Sequence, residues 1–148
     1  MCVGKESFTT IPKWESSVRS GPKDMANILI ADDEVALRFL LRETLVDEGY
    51  DVREASDGQE AIEKLTNHQF DIVILDYMMP EKTGIEVCEW LRKSDSINQN
   101  APVILLTAKT QMKDREKASE AGISTYMAKP FSPFQLLDEI ELLLNRQK

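Results

Sequence analysis

Three uninterrupted β-branched and aliphatic runs constrain this chain more than anything else in it: Ile28-Leu29-Ile30, Ile72-Val73-Ile74-Leu75 and Val103-Ile104-Leu105-Leu106. Strands buried on both faces of a parallel sheet read as short continuous apolar runs, whereas half-exposed strands alternate. Each run leads directly into polar residues, namely Asp32-Asp33, Asp76 and Thr107, and a shorter stretch, Tyr126-Met127, leads to Lys129. In open parallel α/β sheets, ligands bind beyond the carboxyl ends of the strands. Three carboxylates, a hydroxyl and an ammonium are therefore expected at one end of one sheet. Such a set suits a phosphate group and a metal ion.

From Asn27 the sequence alternates strand and helix five times, with strands expected near 27–31, 50–55, 70–75, 103–107 and 124–128. The connections are short, as in a doubly wound α/β sheet. Thr83-x-x-Glu86, Ser56-x-x-Gln59 and Ser132-x-x-Gln135 read as capping boxes, the last with Pro133 at the first helical position. Leu136, Leu137, Ile140, Leu143 and Leu144 form a stripe that should face the sheet, as should Leu37, Leu40, Leu41 and Leu45 in the first helix. The segment 111–121 has the thinnest apolar face, only Met112, Ala118 and Ala121, and is expected to be the most mobile helix.

Residues 1–26 differ from the rest. They carry four basic and three acidic side chains with Gly4, Pro12, Gly21 and Pro22, against 14 basic and 23 acidic side chains in 27–148. A segment of this composition buries too little to offset its ordering entropy, so disorder is expected. Ile11, Trp14 and Val18 at helical spacing offer a docked amphipathic turn as the alternative, and Met25 is a candidate start of translation.

The remaining 27–148 is one domain, long enough for a single core. A net charge of −8 and a pI near 4.7 argue against direct nucleic-acid binding, which rests on Lys and Arg neutralising phosphates. The two cysteines, Cys2 and Cys88, make no disulfide framework and fit a reducing compartment. No apolar run nears the ~20 residues of a membrane span. Lys5, Glu6, Lys13 and Glu15 interrupt any secretory core. A cytoplasmic protein with no membrane partner is expected.

Carboxylates at 32, 33 and 76 repel one another, at a cost on the order of 4 kcal/mol for a pair ~4 Å apart at an effective dielectric of ~20. A divalent cation resolves that conflict, and all-oxygen ligands favour Mg²⁺. Lys129 adds a compact charge that can pair with Asp76 and then with a phosphoryl group, to which Thr107 can donate.

These pieces together resemble the receiver domain of bacterial two-component response regulators. The matching stretches are Ile-Leu-Ile-Ala-Asp32-Asp33-Glu34, Asp76-Tyr77-Met78-Met79-Pro80 with Gly84, Thr107-Ala108, and Ala121-Gly122 followed by Tyr126-Met127-Ala128-Lys129-Pro130-Phe131. The resemblance covers 27–148 and implies a five-stranded parallel sheet of order 2-1-3-4-5 with five helices. It implies Asp76 as phosphoacceptor, with Mg²⁺ held by Asp33, Asp76 and the Met78 carbonyl, and by Asp32 through water. Thr107, Lys129 and the Ala108 amide would hold the phosphoryl oxygens, and the Lys129-Pro130 bond would be cis. Thr107 and Tyr126 fall at the family's switch positions, while Met78 and Lys109 fall where it varies its hydrolysis rate. The implied partners are a histidine kinase or His-phosphotransfer protein and an unidentified downstream protein on the 111–121, 124–128 and 133–147 face.

Other prominent residues have plainer readings: His68 as a surface loop residue, Cys88 as core packing and Trp90 as partly exposed. Two different functions compete with the switch. A haloacid-dehalogenase-type phosphohydrolase typically needs a second carboxylate two residues after its nucleophile, where this chain has Met78. A flavodoxin-like flavin binder needs a phosphate-cradling loop where Asp32-Asp33-Glu34 would repel the ligand. A degenerate receiver acting as a scaffold is a third possibility, although no core position is lost. With nothing after the fifth helix, the output is expected to be binding to a separate partner or onward phosphoryl transfer.

Overall fold

The computed structural model describes residues 26–108 and 115–146. Five strands and five helices alternate: β1 (Asn27–Ala31), α1 (Val35–Asp47), β2 (Asp51–Ala55), α2 (Gly58–Asn67), β3 (Ile72–Asp76), α3 (Gly84–Lys93), β4 (Val103–Ala108), α4 (Arg115–Ala121), β5 (Thr125–Lys129) and α5 (Pro133–Arg146). The strands form one parallel sheet of order β2-β1-β3-β4-β5, as expected.

Why the central strands carry unbroken apolar runs is visible in the two cores. Alternate residues Ile28, Ile30, Ile72, Ile74, Ile104 and Leu106 pack with Leu41 and Leu45 of α1 and Leu136, Ile140 and Leu143 of α5. On the opposite face Leu29, Val73, Leu75, Val103 and Leu105 pack with Ala61 and Leu65 of α2, Val87, Cys88 and Leu91 of α3, and Ala118 and Ala121 of α4. The edge strand β2 instead alternates exposed with half-buried residues until Ala55. One strand face lost to solvent restores the period of two.

Register places the functional strand ends together. Ala31 pairs with Ala55 and Leu75, Asp76 with Leu106, and Thr107 with Ala128. Asp32, Asp76, Thr107 and Lys129 thus leave one rim of the sheet.

The helix starts mostly follow the sequence. Thr83 and Glu86 make a reciprocal capping box, and Ser132 and Gln135 make the same pair of bonds ahead of Pro133. The box expected at Ser56 and Gln59 is displaced by one residue. Asp57 is the N-cap and accepts from the Glu60 N–H, while Glu60 accepts from the Ser56 N–H and hydroxyl. These two bonds hold the Glu60 carboxyl below its ordinary range, the backbone bond more than the hydroxyl. Leu40 is also corrected: it points to solvent, and only Leu41 and Leu45 of the expected α1 set are buried, with Leu37 partly so.

β3 begins at Ile72 rather than residue 70, because the Phe70 N–H is taken by the Asn98 side chain at 2.7 Å. Asn98 is buried and also donates to the Leu65 and His68 carbonyls, tying the α3–β4 connection to the end of α2. His68, expected as a surface loop residue, is instead the half-buried C-cap of α2, its ring edge-on to the buried Phe70. Cys88 is core, as expected: its thiol donates to the Ala121 carbonyl, and burial pushes it up to about 11. Trp90 lies half-buried against the same core.

The disorder expected for 1–26 falls outside the described residues except at Ala26, which is buried and accepts from the Asp51 N–H. Met112 likewise lies outside them, and the described part of α4 buries Ala118 and Ala121. Among the described residues no helix is long and apolar enough to cross a membrane.

Candidate functional site

The rim of the sheet is built one strand end at a time. After β1 the chain turns into α1, and every polar group of Asp32 is engaged in that turn. Its N–H donates to the Ala55 carbonyl, its carbonyl accepts from Arg38, Oδ1 accepts from the Glu34 N–H at 2.8 Å, and Oδ2 lies 3.4 Å from Lys129 Nζ. Asp32 is 0 % exposed, whereas Asp33, one residue on, is exposed.

Asp76 is the last residue of β3 and is 7 % exposed. The chain leaves it through a tight loop in which Gly84 N–H donates to the Tyr77 carbonyl at 2.8 Å. Gly84 is required there: a Cβ would lie 2.5 Å from the Asp76 carbonyl oxygen and 2.8 Å from Leu105 Cδ1. Any side chain would force the start of α3 away from the backbone of Asp76.

Thr107, near the end of β4, is buried, and its hydroxyl donates to the Ala108 carbonyl at 3.3 Å. Lys129 ends β5, and the Lys129-Pro130 peptide is cis, as the resemblance implied. The ammonium lies 3.1 Å from Asp76 Oδ1, 3.4 Å from Asp32 Oδ2 and 3.7 Å from Glu34 Oε1.

Oxygens of Asp32, Asp33 and Asp76 all lie within 4.8 Å of one another. Burial drives the Asp76 carboxyl up to about 6, with the Asp32 charge adding to the rise and Lys129 opposing it. Asp32 is raised for the same leading reason, burial, against the Glu34 N–H and Lys129. Burial alone would lower the Lys129 ammonium, but the Asp76 and Asp32 charges outweigh it and hold it above its ordinary value. Among the described residues, the one ammonium paired with these carboxylates does not balance them. An all-oxygen, partly buried donor set with excess negative charge fits a hard divalent cation, and three protein carboxylates leave room for water and phosphate oxygens.

The other anticipated positions are placed less tightly. Met78 is 54 % exposed and lines a cleft of about 540 Å³ with Tyr77, Thr83 and Glu86. Lys109 lies outside the described residues. Tyr126 is half-buried in β5, beside a groove of about 400 Å³ that Phe131 and Asp138 also line. Sequence reasoning assigned no role to Glu34 as a third neighbour of Lys129, or to Arg38 at the Asp32 carbonyl. Glu34 carried a signal in its position beside the acidic pair; Arg38 carried one in lying a helical turn beyond Glu34, whose carbonyl accepts its N–H.

A sequence model for the response regulator receiver domain matches residues 28–141. The transcriptional regulatory protein ResD of Bacillus subtilis is 42 % identical over 119 residues, which are 80 % of this chain and 48 % of ResD. PhoP of the same organism, the alkaline phosphatase synthesis transcriptional regulatory protein, is 40 % identical over 121 residues, 82 % of this chain and 49 % of its own length. The chain thus spans about half the length of these curated relatives. Among solved structures, the chemotaxis response regulator CheY4 of Vibrio cholerae superposes with a TM-score of 0.76 at 33 % identity, covering 81 % of this chain and 99 % of CheY4. The receiver domain of the sensor histidine kinase PA1611 of Pseudomonas aeruginosa, with a magnesium ion coordinated in its active-site cleft, gives 0.74 at 26 % identity, covering 81 % and 98 %. Neither the phosphohydrolase nor the flavodoxin alternative is supported. With the match spanning most of the chain and the sheet order agreeing, the chain belongs to the response regulator receiver domain family, the phosphoacceptor fold of two-component signalling.

Proposed function

We propose that Asp76 accepts a phosphoryl group from the phosphohistidine of a histidine kinase or His-phosphotransfer protein. The observation that carries this reading is the single carboxylate at the end of a fully buried central strand, 3.1 Å from Lys129 and within 4.8 Å of Asp32 and Asp33. A carboxylate oxygen of Asp76 attacks phosphorus, the phosphorus–nitrogen bond breaks, and the imidazole leaves with the bonding pair. The product is an acyl phosphate on Asp76. Phosphoryl transfer needs positioning and charge stabilisation rather than a protein base, which matches the residues at this rim.

Asp33 and Asp76, with the Met78 carbonyl, are assigned to hold Mg²⁺, and Asp32 to act through water, because both Asp32 carboxylate oxygens already face donors. When bound, Mg²⁺ neutralises the carboxylates and the incoming phosphoryl oxygens. Lys129 then turns from Asp76 to a phosphoryl oxygen, and the Thr107 hydroxyl and the Ala108 N–H take the others. Met78 is apolar and cannot orient an attacking water, so the acyl phosphate is expected to persist longer than with Asn there.

Thr107 and Tyr126 are assigned as the switch pair. The phosphoryl group draws Thr107 toward it, Tyr126 fills the vacated space, and the face of α4, β5 and α5 changes its affinity for a downstream protein or prepares onward transfer. The phosphoryl group can bias the two states only through contacts that differ between them. The reading places the protein in the cytoplasm. It is tested by incubating the chain with acetyl phosphate and Mg²⁺: acid-labile phosphate should appear on wild type and be absent from Asp76→Asn. Equal labelling of the variant would remove Asp76 from this role.

A further inference from the structure

Arg38 lies on α1 and takes no part in the roles above, yet its guanidinium is tied to groups on both sides of the rim. Its side chain is 15 % exposed. Nη1 donates to the Asp32 carbonyl at 2.6 Å, and Nε donates to Glu54 Oε1 at 2.9 Å. Glu54, on β2, is held in turn by Arg42 Nε at 3.0 Å through its second oxygen. The planar guanidinium therefore bridges the backbone after β1 to the neighbouring strand, a task that needs two donors in a fixed fork.

What this fixes is the peptide between Asp32 and Asp33. β1 ends at Ala31, so the sheet ladder does not hold that peptide. The Asp32 side chain is anchored by the Glu34 N–H and Lys129, and its N–H by Ala55. The carbonyl of Asp32 shares a plane with the N–H of Asp33. Holding that oxygen sets the direction in which the exposed Asp33 leaves the strand, and with it the placing of its carboxylate toward Asp76.

We propose that Arg38 is a positioning residue for the divalent-cation site, acting on Asp33 through the Asp32 carbonyl. The inference rests on reading the three aspartates as that site. A purely electrostatic role has the opposite sign: a guanidinium near a cation site weakens cation binding, so its removal would tighten it. A positioning role predicts weaker binding on removal, as for other groups that orient metal ligands from behind.

The test is Mg²⁺ titration by isothermal calorimetry on the full chain, free of phosphodonor, for wild type, Arg38→Met and Arg38→Lys. Urea unfolding in chelator confirms that each variant is folded at the titration temperature. Arg38→Met is expected to bind Mg²⁺ about tenfold more weakly. Arg38→Lys retains the charge but not the fork, so its weaker binding reports position alone and decides the matter if Arg38→Met fails to fold. Binding in Arg38→Lys equal to wild type, or tighter binding in Arg38→Met, overturns the proposal. Wild type that fails to bind Mg²⁺ overturns the site reading, and this inference with it.

Discussion

Replacing Asp76 by Asn in metal-free buffer removes a buried charge that its surroundings disfavour, and the size of the effect follows from those surroundings. Burial first, and the Asp32 charge second, raise the Asp76 carboxyl from 3.8 to about 6 in the folded state. Between those values the native protein keeps a proton that the unfolded chain has released. The native state then binds more protons, so stability falls as pH rises through this window and the full cost is present above it. At about 1.36 kcal/mol per unit, that cost is on the order of 3 kcal/mol. Asp76 is nearly buried, so solvent screening removes little of it, and the opposing attraction of Lys129 is already contained in the raised value.

Asn cannot ionise and escapes the cost, while Lys129 keeps Asp32 and Glu34 as neighbours. Urea unfolding in chelator should show Asp76→Asn more stable than wild type at about pH 7.5, with the gap closing toward about pH 4. Added Mg²⁺ should narrow the gap by stabilising wild type, by about 2.7 kcal/mol at a hundredfold excess over Kd. A variant less stable than wild type at neutral pH, or a gap that does not change with pH, would refute the electrostatic reasoning.

Three further outcomes are expected. Asp33→Asn should lose most of the Mg²⁺-induced rise in Tm, which tests its assignment as a direct ligand; an undiminished rise counts against it. Met78→Asn should shorten the acyl-phosphate half-life, as followed by loss of label after the phosphodonor is removed; a longer half-life contradicts the role given to the apolar side chain. Thr107→Ala should still take up phosphate but lose most of the phosphorylation-dependent gain in binding to its downstream partner, measured by calorimetry, and full retention of that gain would move the switch elsewhere.

How much of this was legible in the sequence depends on how local each cause is. The β1, β3 and β4 runs announced themselves because burial on two faces abolishes alternation, and their register then carried Asp32, Asp76, Thr107 and Lys129 to one rim. The Thr83–Glu86 box is readable because both partners lie within one turn, and the α5 stripe because its spacing is set within a single helix. The cap of α2 was misplaced by one residue because Ser56 and Asp57 are both competent caps, and only the reach of Glu60 back to Ser56 decides between them. Leu40 was misassigned because four leucines made the α1 stripe look wider than the face the sheet covers. The Arg38–Asp32 and Asn98–Phe70 bonds join a side chain to a backbone group, and no residue pattern marks a bare carbonyl or N–H as a future partner. The surplus of carboxylates was visible as composition, but the burial that raises Asp76 was not.

Under the proposed function, one carboxylate among three, that of Asp76, becomes the acyl phosphate. The direct measurement is mass spectrometry of proteolytic fragments after incubation with acetyl phosphate and Mg²⁺ and reductive trapping of the acyl phosphate. One modification at Asp76, dependent on Mg²⁺, is the predicted result. Modification at Asp32 or Asp33, or none on a chain shown to bind Mg²⁺, would contradict it.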